Sequence, residues 1–141
     1  PTTLTQTITL LDTIALQNTA FSAIKPVNYS VTTTTQAQRF LQNYATEYNT
    51  LDSSTAVKSY FELILAKETS ADTLLRDINA DTYLTSTEKQ LLQFIVNSLA
   101  GNPPGNGDDY WDKKMIVAAT LGFNQNQATA VFNVALLIVY K

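Results

Sequence analysis

Residues 128–140 read ATAVFNVALLIVY, a nearly continuous apolar run near the end of the chain. A helix that is apolar on every side is usually buried at the centre of a helical bundle. The run is shorter than the roughly 20 apolar residues that a membrane span needs, and Asn133 lies in its middle. We therefore predict a central, fully buried helix and no membrane span. The alternative is a helix that completes its burial against another subunit.

Helical periodicity recurs throughout the remaining sequence. Apolar residues spaced three and four apart are typical of amphipathic helices, and this spacing predicts further helices. Residues 3–10 (TLTQTITL) also alternate as a strand does, but a helix accounts for more of the apolar positions that follow. The expected fold class is therefore all-α, a bundle of six or seven helices in a single domain covering 1–141. Besides the run at 128–140, the predicted helices cover 4–24, 37–51, 53–65, 71–78, 91–99 and 111–121.

Several helix starts are predicted by capping residues. A polar N-cap residue followed three positions later by Glu or Gln forms a capping box, in which each side chain bonds the backbone N–H of the other residue. The predicted pairs are Thr3 with Gln6, Thr35 with Gln38, Thr85 with Glu88, and Asn124 with Gln127.

Composition narrows the class of function. Charged residues make up 15% of the chain, and threonine alone is as frequent as all four charged types together. A surface of hydroxyl and amide groups is common in secreted proteins, so we expect an extracellular or cell-surface location. The chain has no Cys and no His, which excludes disulfides, thiol nucleophiles, the common zinc sites and imidazole bases. Its net charge is −3 and its basic residues are scattered, so we expect no nucleic-acid binding.

Residues 77–88 (DINADTYLTSTE) have the oxygen spacing of an EF-hand calcium loop. Thr82 departs from that pattern, because the sixth position of such a loop is normally Gly in a sharp turn. The simpler interpretation is a turn around Asn79 and Asp81 followed by the Thr85–Glu88 capping box. The calcium hypothesis takes as ligands Asp77, Asn79, Asp81, the carbonyl of Tyr83, Thr85 and Glu88.

A second acidic cluster consists of Asp108, Asp109 and Asp112, beside Tyr110 and Trp111. Two carboxylates near aromatic rings could serve glycoside hydrolysis, in which one acid protonates the leaving group and the other attacks or activates water. Acidic residues are also common at helix N-termini, where they favour the helix dipole. We favour the second interpretation and expect no catalytic residues.

An aromatic stripe at helical spacing gives a further candidate surface, for sugar binding. Such stripes are more often part of a core, with each tyrosine hydroxyl reaching the surface. The residues are Phe40, Tyr44, Tyr48, Tyr60 and Phe61.

Residues 98–111 (SLAGNPPGNGDDYW), followed by a helix, a Gly and another helix, resemble the small helical modules of bacterial surface-layer and RTX-type secreted proteins. Those modules carry a Gly/Asp-rich loop that ends in Tyr-Trp between helices. The resemblance implies anchoring or assembly at the cell surface, often with calcium. It also implies that Gly107, Tyr110 and Trp111 pack the loop.

We therefore expect a non-catalytic structural or interaction module: an S-layer-like anchoring domain, or a self-assembling coat or filament subunit. Its expected partner is another copy of the chain or a cell-surface component. The alternative is a small-ligand or carbohydrate-binding helical domain stabilised by calcium.

Overall fold

The computed structural model describes residues 2–101 and 109–140, and for Asp109 it describes the backbone alone. Within these ranges the chain forms helices and no strand, which confirms the all-α fold class. The helices are α1 (Leu4–Gln17), α2 (Thr19–Ile24), α3 (Thr34–Leu41), α4 (Tyr44–Thr50), α5 (Thr55–Ala66), α6 (Ala71–Ala80), α7 (Ser86–Gly101), α8 (Asp109–Phe123) and α9 (Gln127–Val139).

The described ranges hold nine helices instead of six or seven, because two predicted helices are interrupted. The first breaks at Asn18, whose side chain accepts a hydrogen bond of 2.9 Å from the N–H of Phe21 and thereby starts α2. The second breaks after Leu41, where the N–H of Asn43 bonds the carbonyl of Gln38 at 3.0 Å. An apolar stripe continues across both breaks, so periodicity alone does not reveal them.

Two of the predicted capping boxes are confirmed and two lie elsewhere. Thr3 and Gln6 cap α1, with reciprocal bonds of 3.2 and 3.0 Å, and Thr85 and Glu88 cap α7 in the same way, at 3.1 and 2.9 Å. The segment TTTTQAQ offers the capping-box spacing twice, and NQNQ offers two asparagines that can each cap a helix. The caps in use begin at Thr33 and at Asn126, not at Thr35 and Asn124.

The central helix is α8 instead of the predicted α9. It contacts α3, α4, α5, α7 and α9, and six consecutive residues, 115–120, are buried. The partner with which it makes the most extensive contact is α9, which in turn packs on α1, α2 and α3. The apolar run at 128–140 is therefore largely buried, although Val139 at its end is 54% exposed.

Gly122 lets α8 and α9 approach closely. It was expected to end its helix, but α8 continues to Phe123. A Cβ atom on Gly122 would lie 2.3 Å from the Cα of Ala130, closer than any real contact. The glycine is therefore required where the two backbones touch.

Asn133 makes a polar connection through this apolar centre. Its Nδ2 donates to the carbonyl of Ala118 at 3.2 Å, and its Oδ1 accepts from the Thr32 hydroxyl at 2.6 Å. The buried amide is thus bonded on both sides, as burial of a polar group requires. It ties the segment between α2 and α3 to the α8–α9 pair.

Candidate functional site

The exposed side of α1 is the most apolar solvent-facing helix surface in the described chain. Leu10, Ile14 and Leu16 are 60%, 62% and 47% exposed, while Ile8 is the one buried residue of this helix. Beside Leu10 and Ile14 lies a shallow depression of about 430 Å³, which Val139 and Tyr140 also line. Large aliphatic side chains on one helix, next to an unfilled depression, indicate a surface that can bury more area against a partner.

The threonines of α1 make this surface less polar than the sequence indicates. The hydroxyls of Thr7, Thr9 and Thr13 each donate to the backbone carbonyl four residues earlier, at 3.0 Å. A hydroxyl bonded back to its own helix leaves the methyl group as the outward part of the side chain. We use the term outer face of α1 for the exposed set Thr5, Thr9, Leu10, Thr13, Ile14 and Leu16.

The outer face of α1 is also uncharged. Asp12 is the one charged residue among residues 2–24; it is half-buried and, three residues after Thr9 and four before Leu16, it borders one edge of the outer face. Its Oδ1 atom is buried with no hydrogen-bond partner in the described chain. Burial and, to a smaller extent, the negative charge of Asp12 raise the pKa of the nearby Tyr29 to about 12. The charge of Asp12 therefore lies near Tyr29, at the edge of the outer face and not at its centre around Leu10 and Ile14.

The proposed calcium ligands do not form an EF-hand loop. Asp77 and Asn79 lie within α6, which continues to Ala80 because Leu74 and Ile78, four residues apart, are buried. Tyr83 is 87% exposed. In the described ranges no group of three acidic residues is placed to hold a metal ion.

The simpler interpretation is confirmed for the Thr85–Glu88 capping box and for the turn that follows Asp81, but Asn79 lies within α6, and the bonds from Tyr60 and Ser54 were not predicted. The Asp81 carboxylate accepts from the Tyr60 hydroxyl at 2.8 Å and from the N–H of Tyr83 at 2.7 Å, and these bonds lower its pKa. The Glu88 carboxylate accepts from the Ser54 hydroxyl at 2.6 Å, and this bond, together with the N–H of Thr85, lowers its pKa. Calcium binding itself stays a prediction.

The acidic cluster at 108–112 is described only in part, because Asp108 and Gly107 lie outside the described residues. The side chain of Asp112 is buried, and its Oδ2 lies 3.7 Å from the Nζ of Lys67. Lys67 caps the C-terminal end of α5 in the left-handed conformation, with φ of 58°. Asp112 therefore takes part in an ion pair between α5 and α8.

The aromatic stripe is packed and not available as a sugar platform. Phe40 and Phe61 are each 1% exposed, and the hydroxyl of Tyr48 donates to Glu62 at 2.7 Å. The ammonium group of Lys113 lies 5.3 Å from the ring centre of Tyr48. Burial, followed by the bond to Glu62, raises the pKa of Tyr48.

Tyr110 and Trp111, the last two residues of the stretch 98–111, lie in different surroundings. Trp111 packs against the core, whereas Tyr110 is 61% exposed and meets Tyr44 edge to face at a ring-centre distance of 6.0 Å. The lysine next to Lys113, Lys114, places its ammonium group 5.2 Å from the ring centre of Tyr44. These contacts hold the start of α8 against α4.

Comparison of the chain with family models, with curated proteins and with solved structures found no match. The function therefore has to be argued from this chain's own residues. Within the described residues, none of the helices is both long and apolar enough to cross a bilayer.

The outer face of α1 was missed by sequence reasoning. The alternation of Thr with Leu and Ile in residues 3–10 was recognised, but it was used only to weigh strand against helix. One sequence signal could have identified this surface. A threonine in a helix donates its hydroxyl to the backbone carbonyl four residues earlier, which leaves its methyl group facing outward. Threonines that recur every four residues therefore predict an exposed row of methyl groups.

Proposed function

We propose that this protein is a non-catalytic structural or interaction module whose copies associate through the outer face of α1, in an assembly outside the cell or on its surface. The observation that carries the proposal is the exposed apolar surface of Leu10, Ile14 and Leu16. Complete burial of such a side chain contributes roughly 1.5–3 kcal/mol, and about half of that remains available here because each is about half exposed. Leu10 and Ile14, one helical turn apart, together with the neighbouring threonine methyl groups, supply a driving force for association.

A second copy of the chain is the partner that this surface fits. The chain carries a net charge of −3, so copies repel each other weakly wherever acidic residues face outward. No charged residue lies three or four positions from Leu10, Thr13 or Ile14, so two copies can approach at the centre of the outer face without pairing like charges. A surface that packs on its own symmetry mate forms a two-fold contact, the commonest type in homo-oligomers.

The absence of catalysis is part of the same proposal. Asp81, Glu88 and Asp112 are each bonded to a hydroxyl, an N–H group or a lysine of the chain itself. Carboxylates engaged in this way hold helices together. A location at the cell surface is supported by the composition and by the resemblance of residues 98–111 to surface-layer and RTX-type modules.

Sedimentation velocity across a concentration series tests the association. We expect wild-type protein to shift from monomer to dimer or larger species between micromolar and millimolar concentration. Replacing Leu10→Glu and Ile14→Glu together should weaken this association at least about tenfold, because charge replaces buried apolar area. Leu63→Glu on α5 is the matched control, since Leu63 is also an exposed leucine, at 42%.

Two outcomes would contradict the proposal: wild-type protein that stays monomeric throughout the series, or a double variant that associates as the wild type does. The series should be repeated with and without millimolar calcium. A rise in melting temperature on adding calcium, abolished by Asp77→Ala, would support the calcium prediction separately from the α1 contact.

A further inference from the structure

A polar cavity of about 280 Å³ lies beside the first turns of α9, which contribute Thr129 and Asn133 to its lining. Its walls come from the segment between α2 and α3, the first turns of α3, and the turn between α8 and α9. None of the residues singled out in the sequence for calcium, acid or aromatic chemistry lines it. It is the most enclosed of the described cavities, and its lining is more polar than apolar.

The inner wall is built from buried side chains that offer mainly acceptors: the hydroxyls of Thr32 and Thr129 already donate within the protein, and Asn133 keeps one N–H to donate. Thr32, Thr129 and Asn133 are only 3%, 7% and 4% exposed, and they come from two segments distant in sequence. The Thr129 hydroxyl donates to Asn126 Oδ1 at 3.1 Å, which leaves its lone pairs as acceptors. Each of these side chains is held by a bond within the protein, so the inner wall is preorganised.

The outer rim is neutral overall. Asn28, Ser30 and Gln36 are exposed amide or hydroxyl residues. Arg39 is the one charged residue in the described lining, and its guanidinium group already forms a bidentate pair with Glu47, with bonds of 3.1 and 2.8 Å. An anionic ligand would have to compete with that carboxylate for the same group.

This lining selects for a particular chemistry. Hydroxyl and amide groups pair best with ligand groups that also donate and accept at once, and sugar hydroxyls do both. The volume is close to the lower end of the roughly 300–1,000 Å³ range of small-molecule sites, which limits the ligand to about one ring. No aromatic residue is in the described lining, so recognition depends on hydrogen bonds and not on stacking.

We propose that this cavity binds one neutral sugar ring, with Thr129 and Asn133 at its inner wall and Asn28 and Gln36 at its rim. The site is separate from the outer face of α1. Binding and self-association are therefore independent properties, and either can fail without the other.

Titration with glucose and with N-acetylglucosamine, followed by amide ¹H–¹⁵N spectra of the full chain, tests the proposal. We expect saturable shifts confined to residues 28–36 and 125–133, with millimolar affinity. Thr129→Val keeps the shape of the side chain and removes the hydroxyl, so it should weaken binding about five-fold. Thr120→Val is the matched control, because Thr120 is also a buried threonine of the α8–α9 pair but does not line this cavity.

A second variant keeps the test valid if Thr129→Val does not fold. Asn28→Ala removes an exposed rim amide and leaves the core unchanged, and it should also weaken binding. Absence of saturable shifts with either sugar would overturn the proposal, as would equal affinities for wild type, Thr129→Val and Asn28→Ala. Shifts in the same residues on adding phosphate but not sugar would assign the cavity to anions through Arg39 and would overturn it too.

Discussion

The helices α1 and α8 are nearly equal in length, 14 and 15 residues, yet the middle of α8 is fully buried whereas most of α1 is exposed or only partly buried. All six residues at 115–120 of α8 are buried, whereas Ile8 is the one buried residue of α1. Burial on all sides is possible for α8 because five other helices pack around it. Since α1 packs on its neighbours along one side only, the rest of its apolar surface stays exposed to solvent.

The charged residues of α8 and α1 also differ, in whether their charged groups contact other helices. In α8, Asp112 pairs with Lys67 at the end of α5. Lys113 and Lys114 lie over tyrosine rings of α4. The charged residues of α8 therefore link this helix to α4 and α5. In α1, Asp12 has a buried oxygen without a partner in the described chain. We infer that α8 contributes mainly to the stability of the fold and that α1 provides the surface through which copies associate.

The largest expected effect is at the contact between α8 and α9. Gly122→Ala would place a Cβ atom 2.3 Å from the backbone of Ala130, so the helices must separate. We expect a loss of about 3 kcal/mol in the free energy of unfolding, at the upper end of the usual cost of overpacking. Urea denaturation measures it.

Gly101→Ala is the control for this substitution, because no atom lies within 4 Å of the Cβ position at Gly101, the last residue of α7. It should be neutral or stabilise by up to about 1 kcal/mol, through helix propensity. Equal losses for the two variants would contradict the close approach at Gly122.

The next effect concerns the ion pair between α5 and α8. Lys67→Gln removes the cation 3.7 Å from the buried Asp112 carboxylate, and we expect a loss of about 1–2 kcal/mol. This figure is below the usual cost of breaking a buried pair, because Lys67 is 32% exposed and partly screened by solvent. Lys58→Gln, at an exposed lysine of the same helix, should change the free energy of unfolding by less than about 0.5 kcal/mol. Urea denaturation of both variants makes the comparison, and equal effects would contradict a structural role for the pair.

A smaller effect is the dependence of stability on pH. The folded-state pKa values of Asp81 and Glu88 are lowered from 3.8 and 4.5, so both groups stabilise the fold above those values. This contribution is lost as the pH falls through the folded-state pKa values. We expect the urea midpoint to decline below about pH 4.5 and the decline to be shallower in the double variant Asp81→Asn, Glu88→Gln. Gln at 88 still forms the capping box, so a decline unchanged by the double variant would assign the pH dependence to other groups.

The smallest expected effect on stability is in α1. Leu10→Glu and Ile14→Glu each replace a side chain that is about 60% exposed, so each should change the free energy of unfolding by less than about 0.5 kcal/mol. Chemical denaturation at a concentration where the protein is monomeric makes this measurement. A loss of several kcal/mol would show that these side chains are buried within the monomer, and it would remove the contrast between α1 and α8.

The all-α class and the start of α6 were predictable, because Ser70 caps α6 and the local apolar spacing acts over one or two turns. The start of α9 was not, since Asn126 caps it instead of Asn124. The central position of α8 was not, since its sequence carries Asp112, Lys113 and Lys114 and only the fold shows that their partners lie on α4 and α5. The calcium pattern matched oxygen positions but ignored that Ile78 continues the buried side of α6.

The cavity was beyond sequence reasoning, and the sequence could indicate the apolar character of the outer face of α1 but not that it stays exposed. Which residues of α1 stay exposed depends on which side of α1 packs against α9. The cavity brings Thr32 to Asn133, residues separated by 101 positions along the chain.

Intermolecular cross-saturation tests the central claim most directly, because it reads contacts between copies without any substitution. Deuterated, ¹⁵N-labelled chain is mixed with protonated, unlabelled chain, and the aliphatic protons of the unlabelled copies are saturated. We predict that labelled amides lose intensity along residues 5–16 and near Tyr140. Loss confined to other helices, or no loss at a concentration where the protein is associated, would contradict the assignment of the outer face of α1 as the contact between copies.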